Sequence, residues 1–357
     1  MSEVTDLQQS KVFDAMRFPL IVLVLYMHIV PLEHFEITSD LTSMNLYNFI
    51  AEFVAHNLGR MAVPCFFLFS GYFYFRNMKA WGYDFYLKQQ KKRMITLVIP
   101  YVLWNLLNIG VVLAKGYIFN AIGWNGEGDL NYIRETPFLE LMTFPINQPL
   151  WSLRDLIVMT FFAPVFFYIF RYLKGWGLVL LLLIYLSTLE LPIRGFSMVA
   201  IFFFGAGSYF GIEKRNLLAD LIPFKWLSYI GATVLVFLAT ISHTTPYYEY
   251  LIRCFVPLGI ISAITLTHTL SQRNRKLFNS FISLSSSVFF IYAVHELYLK
   301  NWVKGAFFRT PLADSGWGMI VGYILMPLVL LAICLVIYYL LKLISPRLVA
   351  VLTGGRI

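Results

Sequence analysis

Charge is the scarcest ingredient of this sequence. Only 13% of its 357 residues are Asp, Glu, Lys or Arg, about half the ~25% of ordinary soluble domains. Cysteine is scarcer still. Cys65, Cys254 and Cys334 each lie inside an apolar run with no ligand-like spacing, which excludes a disulfide framework and a thiolate metal centre. There is no Walker loop, no GxGxxG after a strand, no HExxH and no GxSxG, so phosphate-loop, dinucleotide, zincin and serine-hydrolase chemistries lose their usual signatures. No metal site is expected. Internal repeats, low-complexity tracts and linkers are also missing, and one domain is expected to fill residues 1–357.

What fills the chain is apolar. Hydrophobic residues make up 59% and aromatics 18%, arranged as long runs from end to end. A membrane span needs about 20 mostly apolar residues. That criterion predicts an all-α, polytopic membrane protein with about ten helices in one bundle, near 15–33, 58–76, 94–114, 150–171, 176–191, 196–212, 226–242, 248–270, 284–303 and 317–343. The first run follows a mixed-charge flank (1–14) without a small-residue cleavage site, as in a retained span rather than a removed signal. The net charge of +9 does not imply nucleic acid. Its cations cluster between the runs, as in "KQQKKR" (88–93) and "RNRK" (273–276), which is how cytoplasmic loops are marked. With both termini cytoplasmic, most Lys and Arg fall inside, and the 115–149 connection becomes a long external loop suited to a lid or binding role.

Ionisable groups inside spans are costly and tend to face a cavity or a partner. Arg17 and His28 are eleven residues apart, within about 20° of one helical face and ~16 Å along the axis. They are expected to look into one shared passage; an interfacial arginine and a packing histidine are the plainer alternative. Asp14 is placed to pair with Arg17. "GRMAVPCFFLFSGYFYF" (59–75) opens on Arg60, a paired or functional cation, and Gly71 fits helix packing. In "LWSLRDL" (150–156), Trp151 fits an interfacial anchor. Arg154 and Asp155 point about 100° apart and are expected to need separate partners, structural or in a substrate site. Tyr292, His295 and Glu296 share a face at i, i+3 and i+4. His34 and His56, near an external loop, are assigned no chemistry.

These pieces together resemble the acyltransferase family 3 membrane proteins. The matching residues are Arg-x10-His (Arg17, His28), "FFLFSGY" (Phe66 to Tyr72), "KKRMITLVIPYVLWNLL", "LWSLRDL", and Ser286 to His295, in the family's order and spread over nearly the whole chain. The resemblance implies a ten-helix acyltransferase taking an acyl group, acetyl above all, from cytoplasmic acyl-CoA to a hydroxyl of a surface polysaccharide or lipid-linked sugar. It implies a bacterial inner-membrane location and makes Arg17 and His28 the catalytic pair. The family's basic Arg-x-x-Arg site begins here at Arg93, but Thr96 holds the second position, leaving Lys91 and Lys92 to supply charge for acetyl-CoA.

The residues fit that chemistry. A shielded, neutral His28 can take the acceptor's proton or be acylated and pass the group on. Arg17 can stabilise an oxyanion or hold a pantetheine carbonyl. Arg60, Trp151, Arg154, Asp155, Tyr72, His295 and Glu296 complete the expected acceptor site. A secondary transporter or flippase using the same charges is the rival reading, although no inverted repeat supports it.

Overall fold

The computed structural model describes residues 4–124 and 126–356, without the side chain at 129. Its order is α1 (Asp6–Ile29), α2 (Ser43–Phe75), α3 (Tyr83–Ala121), α4 (Leu150–Phe161), α5 (Ala163–Leu173), α6 (Gly175–Leu186), α7 (Met198–Ile212), α8 (Leu217–Ile241), α9 (Tyr248–Arg273), α10 (Arg275–Phe307), α11 (Gly316–Ile344) and α12 (Pro346–Thr353). No strand occurs among the described residues. Seven of these helices are long and apolar enough to cross a membrane: α1 to α3 and α8 to α11. The α4–α5 pair, bent by 58°, makes an eighth if it acts as one span. Helices α6 and α7, 12 and 15 residues long, reach only about 18 and 22 Å at 1.5 Å per residue, short of the ~30 Å hydrocarbon layer. The protein is an all-α integral membrane protein.

Its surface shows why. On α8, Leu227, Ile230, Val234, Phe237 and Ile241 are all exposed, an apolar stripe at helical spacing that faces outward rather than into a core. Polar groups are turned the other way: Gln9, Glu52, Asn57, Asp155, Arg253 and His295 are buried. Backbone groups in lipid must be satisfied within the helix, and polar side chains find partners only inside the bundle. Helix α1 runs through that interior, with Val12, Phe13, Met16, Leu20, Ile21, Val24 and Leu25 buried. Thr5 caps it by accepting from the Gln8 amide at 3.2 Å, as Thr42 caps α2 through Asn45 at 3.1 Å.

The closest seam joins α2 to α7. A Cβ at Gly71 would overlap the Phe204 carbonyl, and one at Gly207 would overlap that of Leu68. Four residues on, a Cβ at Gly211 would lie 2.6 Å from the Tyr72 carbonyl oxygen. Small residues at this spacing let two helix backbones touch.

Several boundaries differ from the sequence expectation: α1, α8 and α10 each begin nine residues earlier than expected, at Asp6, Leu217 and Arg275, and the expected 150–171 span is broken into α4 and α5. The second span starts at Ser43 rather than near residue 58, because the polar-looking stretch containing Glu52 and Asn57 is itself helical, with both side chains hydrogen-bonded. The third starts at Tyr83, so the basic "KQQKKR" is helix rather than loop. The 115–149 connection is also largely helical: α3 continues to Ala121, and Glu127–Glu135 and Phe138–Thr143 form two short helices. Helices α2, α3 and α10 each contain a wide π turn, at Glu52–Asn57, Met94–Val98 and His295–Leu299. All three lie beside clusters of ionisable side chains.

Candidate active site

A cavity of about 450 Å³ opens between α1, α2, α3, α4 and α10. Its polar walls are Asp14 and Arg17 from α1, Lys92, Arg93 and Thr96 from α3, and Arg356 from the segment after α12. Phe66, Phe67, Phe69 and Phe73 of α2 and Phe289 of α10 supply apolar wall. Arg17 pairs with Asp14 at 3.2 Å, one turn away, as the spacing predicted. Arg93 lies over the Tyr74 ring at 5.6 Å, and its buried Nε has no hydrogen-bond partner. Arg356 sits 4.7 Å from the Phe289 ring centre and donates to the Thr353 carbonyl at 2.9 Å. Burial, with Arg17 and Arg93 close by, pulls its guanidinium down to about 10. Four cations therefore face one carboxylate. Such an excess in a partly dry chamber fits an anionic ligand.

The chain enters this chamber from its C-terminal end in a defined way. Gly354 adopts a left-handed conformation (φ 64°) and lies so close to Thr96 that a Cβ would be 2.6 Å from the threonine carbonyl oxygen. Arg356, two residues later, thus reaches the cavity that Thr96 also lines. Thr96 Oγ1 is buried and has no hydrogen-bond partner. Lys91 is exposed and is not one of the cavity walls.

Ser152 and Tyr292 also line the cavity. Their hydroxyls are 2.9 Å apart, and the Tyr292 hydroxyl also donates to the Pro149 carbonyl. His28 is not among the walls. The shared passage expected for Arg17 and His28 is therefore divided: both face the bundle interior, but Arg17 meets the cavity and His28 meets a second group of side chains. In that group His28 Nδ1 is 3.0 Å from Glu296 Oε1, and Lys300 Nζ donates to the same oxygen at 2.6 Å. The buried His295 has its ring centre 5.1 Å from that of His28 and its Nδ1 3.0 Å from the Ile291 carbonyl. Carbonyls and carboxylates accept only, so in these contacts both imidazoles donate through Nδ1.

The helix breaks directly beside this group. Inside the His295–Leu299 π turn, Leu297 and Tyr298 leave helical geometry, Tyr298 at φ 61°. Non-glycine residues hold such a conformation only where the surroundings impose it, often at functional sites. Tyr292, His295 and Glu296 meet different partners: Tyr292 turns to Ser152 and Pro149, while His295 and Glu296 turn to His28.

The remaining expected residues separate. Arg154 and Asp155 pair with one another, Nε and Nη2 donating to Oδ1 at 2.9 and 2.8 Å, while Arg154 Nη1 reaches the Thr143 carbonyl at 2.7 Å. The expectation of separate partners fails because a long arginine folds back across the 100° between neighbours. Trp151 is half-buried beside Ser152 at the start of α4. Tyr72 is buried against Gln9, whose Nε2 donates to its hydroxyl at 2.6 Å, and it does not line the cavity. Arg60 pairs with Glu249 at 3.4 Å over the Tyr248 ring, also away from the cavity. Sequence reasoning missed Lys300 and Arg356. The first had a signal, the i,i+4 spacing to Glu296; the second, a lone cation far along the chain, had none.

The structure is an apolar bundle of seven or eight candidate spans rather than the ten expected, and it holds an interior cationic chamber with a histidine–glutamate pair beside it. A family model described as "Acyltransferase domain" matches residues 11–339. The chain belongs to this family, acyltransferase family 3. It is also similar to the succinoglycan biosynthesis protein ExoH of Rhizobium meliloti (strain 1021), 27% identical over 368 residues that cover 98% of this chain and 94% of that protein. No solved structure matches.

Proposed function

We propose that this protein is a membrane O-acyltransferase that carries an acyl group, acetyl above all, from cytoplasmic acyl-CoA to a hydroxyl of a carbohydrate being built into a polysaccharide. The family and the biosynthetic relative support the class and the acceptor. The observation that carries the donor is the cavity, with Arg17, Lys92, Arg93 and Arg356 set against apolar wall. Guanidinium groups suit phosphates, and the phenylalanines suit the slim pantetheine arm. Arg356 lies beyond the 11–339 family match and supplies, from another part of the chain, the charge that Thr96 does not. The cationic end of the bundle faces the cytoplasm of a bacterial inner membrane, where the donor is made.

In this reading the donor lies with its phosphates near Arg17 and Arg93, and its thioester passes the Ser152–Tyr292 pair to reach His28. His28 Nε2 takes the proton of the acceptor hydroxyl as its oxygen attacks the thioester carbonyl. The tetrahedral adduct collapses with breakage of the carbon–sulfur bond. The proton then passes from the imidazolium to the departing thiolate, leaving an ester and free CoA. Glu296 fixes the tautomer and balances the transient imidazolium, as the carboxylate does in catalytic triads. Lys300 Nζ donates to the same Glu296 oxygen and holds it in place. Arg17, about 16 Å down the helix from His28, holds the donor rather than the oxyanion.

Purified protein in lipid tests this directly. With acetyl-CoA and oligosaccharide fragments of a bacterial polysaccharide, free thiol should appear together with alkali-labile acetyl on the sugar. If acetyl-CoA neither binds nor is consumed with any glycan, the proposal fails.

A further inference from the structure

At the opposite end of α1 from Arg17, a second cluster stands outside the acyl-transfer machinery. His34 lies in the connection between α1 and α2, and Glu52 and His56 lie in the π turn of α2. One donor atom from each lies within 4.8 Å of the other two. His34 Nδ1 is 2.7 Å from Glu52 Oε1, and Glu52 Oε2 accepts from the Phe35 amide at 3.2 Å. The Glu52 side chain is 0% exposed. His56 Nε2 is buried and has no hydrogen-bond partner. A wholly buried carboxylate beside an orphaned imidazole nitrogen is costly unless something cationic satisfies both.

The geometry points to a binding site for one zinc-class divalent cation, held by His34, Glu52 and His56 with water in the fourth position. Two imidazoles and a carboxylate suit zinc, cobalt or nickel rather than calcium or magnesium, which prefer oxygen-only shells. Ligands bonded at ~2.0–2.1 Å in a tetrahedron stand about 3.3 Å apart, so the three side chains need only small adjustments. Binding displaces the proton shared by His34 and Glu52. His34 is exposed, which gives the ion an aqueous route, and the Phe35 amide holds the carboxylate from behind. Arg60, the nearest competing cation on α2, is already paired with Glu249. His243, its ring 5.7 Å from that of His34, engages the Thr240 carbonyl through Nδ1 and stands outside the set. Glu52 and His56, four residues apart, share one side of α2.

The other grouping of the same kind, His28, His295 and Glu296, is a poorer candidate. The Lys300 ammonium already occupies the cation's place, 2.6 Å from Glu296.

Full-length protein purified without chelator and equilibrated with micromolar zinc should retain about one zinc per chain by mass spectrometry, and cobalt should give the visible bands of a tetrahedral site. Glu52→Gln and His56→Gln should lose roughly ninety per cent of that metal, and zinc should raise Tm in the parent protein but in neither variant. Calcium should do nothing. Retention below ~0.1 zinc per chain by the parent protein would overturn the proposal without reference to any variant, and so would undiminished retention by both variants if folded. The readout is metal content, so either result leaves the acyl-transfer reading standing.

Discussion

His28 and Glu296 meet across the bundle from helices at opposite ends of the chain, and their roles divide cleanly by substitution. Replacing His28 by Ala should cut acetyl transfer by about 10²–10⁴-fold, the usual worth of a general base, while acetyl-CoA binding measured by calorimetry stays unchanged. Glu296→Gln keeps the shape and loses the charge. Its expected cost is at least about tenfold in kcat with little change in donor KM. Arg356→Ala should do the reverse, raising donor KM about tenfold, in line with the ~1.5–3 kcal/mol of a charge-assisted contact. Adding Thr96→Arg to that variant should recover much of the loss, because both positions open on the same chamber. At this scale the sequence was informative where partners are local, as for Asp14 and Arg17. It was blind where a partner arrives from a distant segment, as Arg356 does, and it misjudged Arg154 and Asp155 because side-chain length defeats helical-wheel geometry.

The elements carry a different lesson. Hydropathy located α1, α9 and α11 because each carries an apolar run long enough to span a membrane. It misplaced the starts of α2 and α3 because buried Glu52 and Asn57, and the helical "KQQKKR" stretch, read as polar loop. The three π turns were not legible at all, since one extra residue in a turn leaves no compositional trace. The α2–α7 seam was half visible: Gly71 suggested packing, but only the fold shows which carbonyl it meets. Gly207→Val should overpack that seam, costing upwards of about 1–3 kcal/mol and seen as a lowered Tm or aggregation in detergent. Gly110→Ala, on α3 where a Cβ meets nothing within 4 Å, should stabilise by roughly 0.4–1 kcal/mol. Comparing the two thermal shifts separates close approach from mere helix propensity.

For the whole molecule, the proposed orientation, with the cationic end of the bundle inside, rests on the clustering of Lys and Arg between the apolar runs. Cysteines introduced at Lys88 and at Asp314, tested in intact cells with a membrane-impermeant thiol reagent, should differ: the first protected, the second labelled. Labelling of Lys88→Cys from outside would reverse the proposed direction of transfer. The four-to-one excess of cations in the chamber has a further bearing on speed. Coenzyme stripped of its acetyl keeps every phosphate it arrived with, so spent donor should cling almost as firmly as fresh. Escape of the used carrier, rather than bond-making, would then pace each cycle. Moderate salt should accelerate saturated turnover even as it weakens capture at low donor concentration.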